Sequence, residues 1–319
     1  MKKLENFHWK PHWVSHLGCI LACKDYLGMA VSDAAVFGGT GHAFVINIHH
    51  ELCPSGPTAW KSEMIFENIK NLGLEISGHF CWQSEGEDKF YQAQQETWEM
   101  VRRSIDENLP CYCWYLDEYA IIDGYDETGY YLKGPGNEAG VGPVSWQKLG
   151  KEGVAFLEAY HVSKTGKRPS AEDIVRDAFQ AAAAHANNLK GWIFDDYRSG
   201  VEAYDWWIAA LEQGKAGAFG NGYNAQVWCE CRAYAVEFLE EFVEKLSGQK
   251  GALTREALRH YHIVSEQLTR VAQLYPFDPS TGETTCPVDK TSEKAVEALK
   301  IARTAEGKAL AVVEEYIRG

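Results

Sequence analysis

Apolar positions along the chain change their period near residue 160. Before that point helical and strand-like spacings alternate. Leu17, Ile20, Leu21 and Leu27 sit at helical spacing with Gly28 behind them, which predicts a helix over 16–27 closed by a glycine C-cap. The glycine-rich Gly38-Gly39-Thr40-Gly41, followed by AFVINI over 43–48, predicts a loop and then a strand. Residues 58–72 read as a helix stopped by Gly73, residues 74–77 as a short strand, and residues 92–107 as an amphipathic helix. The clearest β signal follows: 111–115, 119–124 and 130–133 are short runs of aromatic and β-branched residues. Asp126-Glu127-Thr128-Gly129 joins the last two as a hairpin turn. Residues 155–162 add a further strand, and the polar SKTGKRPS over 163–170 marks a boundary.

Beyond the boundary the period is helical. Ser170 and Asp173 have the spacing of a capping box, which opens a helix running to about 189. Further helices are expected over 200–213, 224–246, 254–274 and 291–317, with a proline- and glycine-bearing loop over 275–290. The pattern defines an α+β domain over 1–165, with a central antiparallel sheet, and an all-α helical domain over 166–319.

Composition narrows the classes of partner. A hydrophobic fraction of 45% and a charged fraction of 24% belong to a folded chain. The net charge of −14 repels phosphate backbones and anionic lipid surfaces, so neither nucleic acid nor membrane is expected, and neutral or cationic ligands fit better. MKKLENFHWKPHW at the start has two lysines but no apolar run after them, unlike a signal peptide, and no apolar run is long enough to span a bilayer. Nine cysteines is an odd number. Without an export signal they read as thiols in a reducing, cytoplasmic setting.

Four stretches carry a family resemblance: SHLGCILACKDYLG over 15–28, VFGGTGHAFV over 36–45, NLPCYCWYLDEYAIIDGYDETGYYLKGP over 108–135, and VSWQKL over 144–149. In pattern and order these resemble the N-terminal domain of the butirosin biosynthesis protein H family, within the papain-like, C39-peptidase-like group of cysteine acyltransferases and peptidases. The resemblance implies a papain-like first half. It also implies a nucleophile at the head of the first helix, activated by the helix dipole and an imidazole, with an Asp or Asn orienting that imidazole. Counted from Gly28, the nucleophile position falls on Ser15 or its neighbour His16. Counted from Gly124-Tyr125-Asp126, the imidazole position falls on Glu118, and the orienting position falls on Gly134. All three depart from the family pattern.

The catalytic candidates are therefore Ser15, with Glu118 or His16 as base, and Cys19, one helical turn further on, with His16 or His42 as base. Cys19 and Cys23, four apart on an apolar helix, read more readily as core thiols than as catalysts. In the helical half, Tyr223, Asn224, Trp228, Glu230 and Arg232 form the most chemically loaded stretch, with Asn224, Trp228 and Arg232 on one face. Together with Trp13 they are candidate substrate contacts. No C-x-x-C or H-E-x-x-H motif occurs, and the glycine run precedes a strand where a phosphate loop precedes a helix, so neither a metal nor a cofactor is expected.

Three functions remain in view. One is a divergent acyltransferase or amide hydrolase acting on a small amine-bearing or peptide-like substrate. Another is an inactive papain-like protein that binds a small molecule in a cleft between its halves, with self-association into a homo-oligomer compatible with either. The third is a structural or scaffold protein, as a homo-oligomer, whose cleft is vestigial.

Overall fold

The computed structural model describes residues 1–166 and 169–319. The chain runs β1 (Lys2–Lys3), α1 (Ser15–Tyr26), α2 (Asp33–Gly39), β2 (Asn47–His49), α3 (Glu63–Asn68), β3 (Leu74–Trp82) and α4 (Glu87–Asp106). There follow β4 (Cys111–Tyr115), β5 (Glu118–Tyr125), β6 (Gly129–Lys133), β7 (Val141–Ser145) and β8 (Phe156–Lys164). The remainder is α5 (Ala171–Ala186), β9 (Tyr197–Ser199), α6 (Gly200–Glu212), α7 (Ala218–Val243), α8 (Gly248–Leu274) and α9 (Lys290–Arg318). It is a mixed α/β chain with a helical C-terminal part. Among the described residues no helix is long and apolar enough to cross a membrane.

Two compact units result, and neither is continuous in sequence. Met1–Val31 and Gly73–Lys167 form the first; Ser32–Leu72 and Arg168–Gly319 form the second. The division expected from sequence, at 165, differs from this because residues 32–72 pack with the helical part. Residues 167 and 168 of the expected boundary segment lie outside the described residues.

The first unit is built on a seven-stranded antiparallel sheet ordered β3-β8-β4-β5-β6-β7, with β1 on β5. Its centre is formed by the aromatic and β-branched runs, whose side chains alternate between two buried faces. Tyr115 pairs with Glu118 across the β4–β5 turn, whose two residues, Leu116 and Asp117, both have positive φ. That backbone matches the twist of a two-residue hairpin. The Asp117 carboxylate fastens it by accepting the Val154 N–H at 3.0 Å.

The β5–β6 turn forms where expected. Its Asp126 carboxylate accepts from Thr128 N–H (2.8 Å), Thr128 Oγ1 (2.7 Å) and Tyr131 OH (2.7 Å). These bonds hold the Asp126 pKa well below the usual carboxylate range. Strand β7 was not expected, because Gly142 and Pro143 interrupt its pattern.

In the second unit the expected loop over 38–41 and strand over 43–48 give way to something tighter. Gly38 and Gly39 end α2, which Ser32 caps by accepting Ala35 N–H. A Cβ on Gly38 would lie 2.0 Å from the Phe238 ring, so helix packing and not a ligand explains that glycine. Gly41 turns the chain with φ +87°, residues His42–Phe44 form a 3₁₀ turn, and only Asn47–His49 pairs as a strand, with β9. The helix expected over 58–72 shortens to α3 with a 3₁₀ turn behind it.

Candidate functional site

The first unit brings Ser15 and Glu118 together. Ser15 opens α1 and Glu118 opens β5, placing a hydroxyl against a carboxylate. Ser15 Oγ donates to Glu118 Oε2 and accepts the Tyr119 N–H at 3.0 Å. Ser15 is only 3% exposed, while Glu118 is half-buried.

His16, the next residue, faces a different set of partners. Its Nε2 lies 3.0 Å from Tyr112 OH, and its ring stacks on Tyr119 with centroids 4.1 Å apart and planes 11° from parallel. Behind Tyr119 sits Glu158, a buried carboxylate that accepts Tyr119 OH at 2.8 Å and Tyr160 OH at 2.7 Å. Burial raises its pKa, and the two phenol donors work the other way. Sequence reasoning missed Tyr112, Tyr119, Glu158 and Tyr160. The signal was present in the alternation of FLEAYHV, which puts Glu158 and Tyr160 on one face of β8.

Cys19 is fully buried, and burial, with smaller contributions from Cys23, Cys113 and Glu118, pushes its thiol pKa well above the ordinary value. A nucleophilic thiolate needs the opposite environment. The expectation of a reactive Cys19 is therefore replaced by the core-thiol reading. Trp13, just ahead of α1, is half-buried.

His42 belongs to the second unit and is buried there, with Nδ1 3.7 Å from Cys231 Sγ. Burial lowers its pKa to about 4, Arg232 adds to this, and its hydrogen bond to the Pro57 backbone opposes it. His185, also buried, is lowered to about 3 by burial, His42 and Arg232, and its Nε2 has no hydrogen-bond partner among the described residues. Trp60 packs edge-on against His185, with centroids 4.8 Å apart.

The expected substrate contacts of the helical part divide in two. Arg232 is fully buried and its guanidinium donates from all three nitrogens. Nε and Nη2 grip Glu306 at 2.9 and 3.0 Å, while Nη1 donates to the carbonyls of Ala43 (2.9 Å) and Val45 (2.8 Å). Asn224 Nδ2 donates to Gly220 O (2.8 Å) and Cys53 O (3.1 Å), and its Oδ1 accepts Trp228 Nε1 at 3.0 Å. These three are core staples in this unit and not a ligand surface. Tyr223 is half-buried against Phe277, and Glu230 is half-buried.

Among the described residues no group of three or more His, Cys, Asp or Glu side chains is placed to hold a metal ion. Cys111 and Cys113 share a face of β4 as the sequence implied. Both are buried, which pushes the Cys111 thiol up to about 12 and raises Cys113 as well. No model of a known protein family matches the chain, and no match is found among curated proteins.

Proposed function

We propose that the first unit is a divergent papain-type acyl-transfer or amide-hydrolysing domain in which Ser15 is the nucleophile and Glu118 the base. The observation that carries this reading is the hydrogen bond between them. The family resemblance sets the nucleophile position on Ser15 or His16 and the imidazole position on Glu118, from separate motifs, and Ser15 meets Glu118 across 103 residues of sequence. A nucleophile in hydrogen-bond contact with a base is the arrangement that activates a hydroxyl.

The chemistry balances on these two groups. Ser15 Oγ attacks the carbonyl carbon of a small amine-bearing or peptide-like amide or ester as its proton passes to Glu118. Glu118 returns that proton to the departing amine or alcohol, leaving an acyl-serine. A water or an acceptor amine then attacks the acyl carbon, giving up its proton through Glu118 to Ser15 Oγ. The first turn of α1 supplies the positive end of a helix dipole near the developing oxyanion. Turnover of a panel of aryl esters and amides should fall by roughly 10²-fold or more in both Ser15→Ala and Glu118→Gln. Equal turnover in the wild type and both variants would remove the catalytic reading.

One observation favours a second reading, a papain-like protein that binds a small molecule without transforming it. Ser15 is almost fully buried, and its oxygen is engaged on both sides, by Glu118 and by the Tyr119 amide. Under this reading the Ser15→Ala protein keeps ligand-dependent thermal stabilisation and the wild type shows no turnover.

A further inference from the structure

The sheet of the first unit ends in two edges that are built differently. Strand β7, at one end, is five residues long, carries Pro143, and shifts register against β6 between Tyr130 and Leu132. Shortness, a proline and an irregular register are the means by which an edge is kept from pairing further. Strand β3, at the other end, has none of them. Its nine residues pair one for one with β8, from Leu74 on Lys164 to Trp82 on Phe156, without a break. It holds neither proline nor lysine, and among the described residues no strand bonds to its outer side.

The C-terminal half of this edge is apolar and open. Phe80 and Trp82 are 50% and 41% exposed, and their rings meet edge-on with centroids 5.5 Å apart. Gly78 is also exposed and lies on the same face, two residues before Phe80. A Cβ on Gly78 would lie 2.0 Å from the Ala159 carbonyl oxygen, so its own sheet already requires a glycine there. Residues 76–82 contain no Asp, Glu, Lys or Arg, in a chain whose net charge is −14. Their one imidazole, His79, lies on the other face, with Nδ1 3.8 Å from Glu96 of α4.

We propose that β3 is the association surface for a second copy of this chain, the two edges pairing antiparallel about a two-fold axis through Phe80. Positions 78, 80 and 82 are evenly spaced on one face. That axis therefore sets Phe80 beside Phe80 of the second copy, and each Trp82 beside the bare Cα of the other chain's Gly78. A two-fold contact requires that if one residue meets another, the second meets the first, and this spacing satisfies it. On the opposite face His79 comes beside Cys81, so no like charges are apposed. Two chains of the same large negative charge approach closely only where acidic side chains are missing, and residues 76–82 are such a place. Pairing hydrogen-bonds the outward N–H and C=O groups of the edge and takes both pairs of Phe80 and Trp82 rings out of water. The contact stands apart from the chemistry at Ser15 and Glu118.

The test joins sedimentation velocity of the full chain, over a broad range of concentration, with hydrogen exchange of the same samples. The wild type should pass from monomer to dimer as concentration rises. Phe80→Lys and Trp82→Lys, both at exposed positions, should each weaken that dimer by roughly tenfold or more. Amides of residues 78–82 should exchange roughly tenfold or more slowly in concentrated than in dilute wild type, while β4 and β5 exchange alike in both. This comparison needs no variant, so a lysine that disturbs folding leaves the proposal open to refutation. A wild type that stays monomeric throughout overturns it and leaves the edge to a strand of some other protein. A dimer that persists in both variants also overturns it, as does one in which residues 78–82 gain no protection, since either result places the contact elsewhere.

Discussion

Each unit buries ionisable side chains, and two sets of them, one in each unit, answer acid in opposite ways. In the first, Glu158 is a lone carboxylate held by two phenols, and burial raises its pKa. In the second, His42 and His185 are imidazoles whose pKa values burial lowers to about 4 and about 3, beside an Arg232–Glu306 pair that is already complete. Burial drives an isolated acid and an isolated base alike toward their neutral forms. The signs then follow by linkage. Neutral His42 and His185 contribute stability that is fully present above the ordinary imidazole value and lost as pH falls toward their folded values. Glu158 contributes stability that is present below the ordinary carboxylate value and lost as pH rises through its raised one. Acid should loosen the second unit while relieving a cost in the first.

Removing one member of the buried pair tests the comparison hardest. Arg232→Met strands the Glu306 carboxylate and two backbone carbonyls, and chemical denaturation should show a loss of about 3–5 kcal/mol. Adding Glu306→Leu should recover much of it. A single-variant loss below about 1 kcal/mol would mean that the pair is not the anchor described.

The next effect is the acid response. Hydrogen exchange followed from pH 7 to pH 4 should show protection falling first in α5 and α7, by an amount on the order of a few kcal/mol. His185→Leu should flatten that pH dependence, because it removes one of the two imidazoles that must charge in the unfolded state. A variant that keeps the wild-type slope would contradict the assignment.

The smallest effect concerns Glu158. Glu158→Gln keeps an acceptor for Tyr119 and Tyr160 without a buried charge, so stability at pH 7 should be unchanged or raised by up to about 1 kcal/mol. A loss of several kcal/mol would show that the ionised carboxylate stabilises the first unit.

Much of the fold was legible because periodicity and punctuation are local. The strands around 111–133, the hairpin turn at Asp126, the Ser170 cap and the long helices follow from residues within a few positions of one another. Legibility stopped where a distant residue decides. Gly38 reads as a loop until Phe238 of α7 arrives against it, and Arg232 reads as a candidate substrate contact until Glu306, 74 residues on, is seen to hold it. The site divides in the same way. The sequence singled out Ser15, His16 and Glu118 as candidates, but the contact of Ser15 with Glu118 depends on two separate elements each keeping its register. Cys19 was ambiguous because a reactive thiol and a core thiol share the same four-residue spacing, and only burial tells them apart.

The most direct test of the central claim is mass-spectrometric mapping of the native protein after exposure to a fluorophosphonate, which modifies only activated hydroxyls. The Ser15–Glu118 account predicts a single adduct on Ser15, strongly reduced in Glu118→Gln. A native protein that stays unmodified at Ser15, while a serine hydrolase in the same tube is labelled to completion, would contradict it.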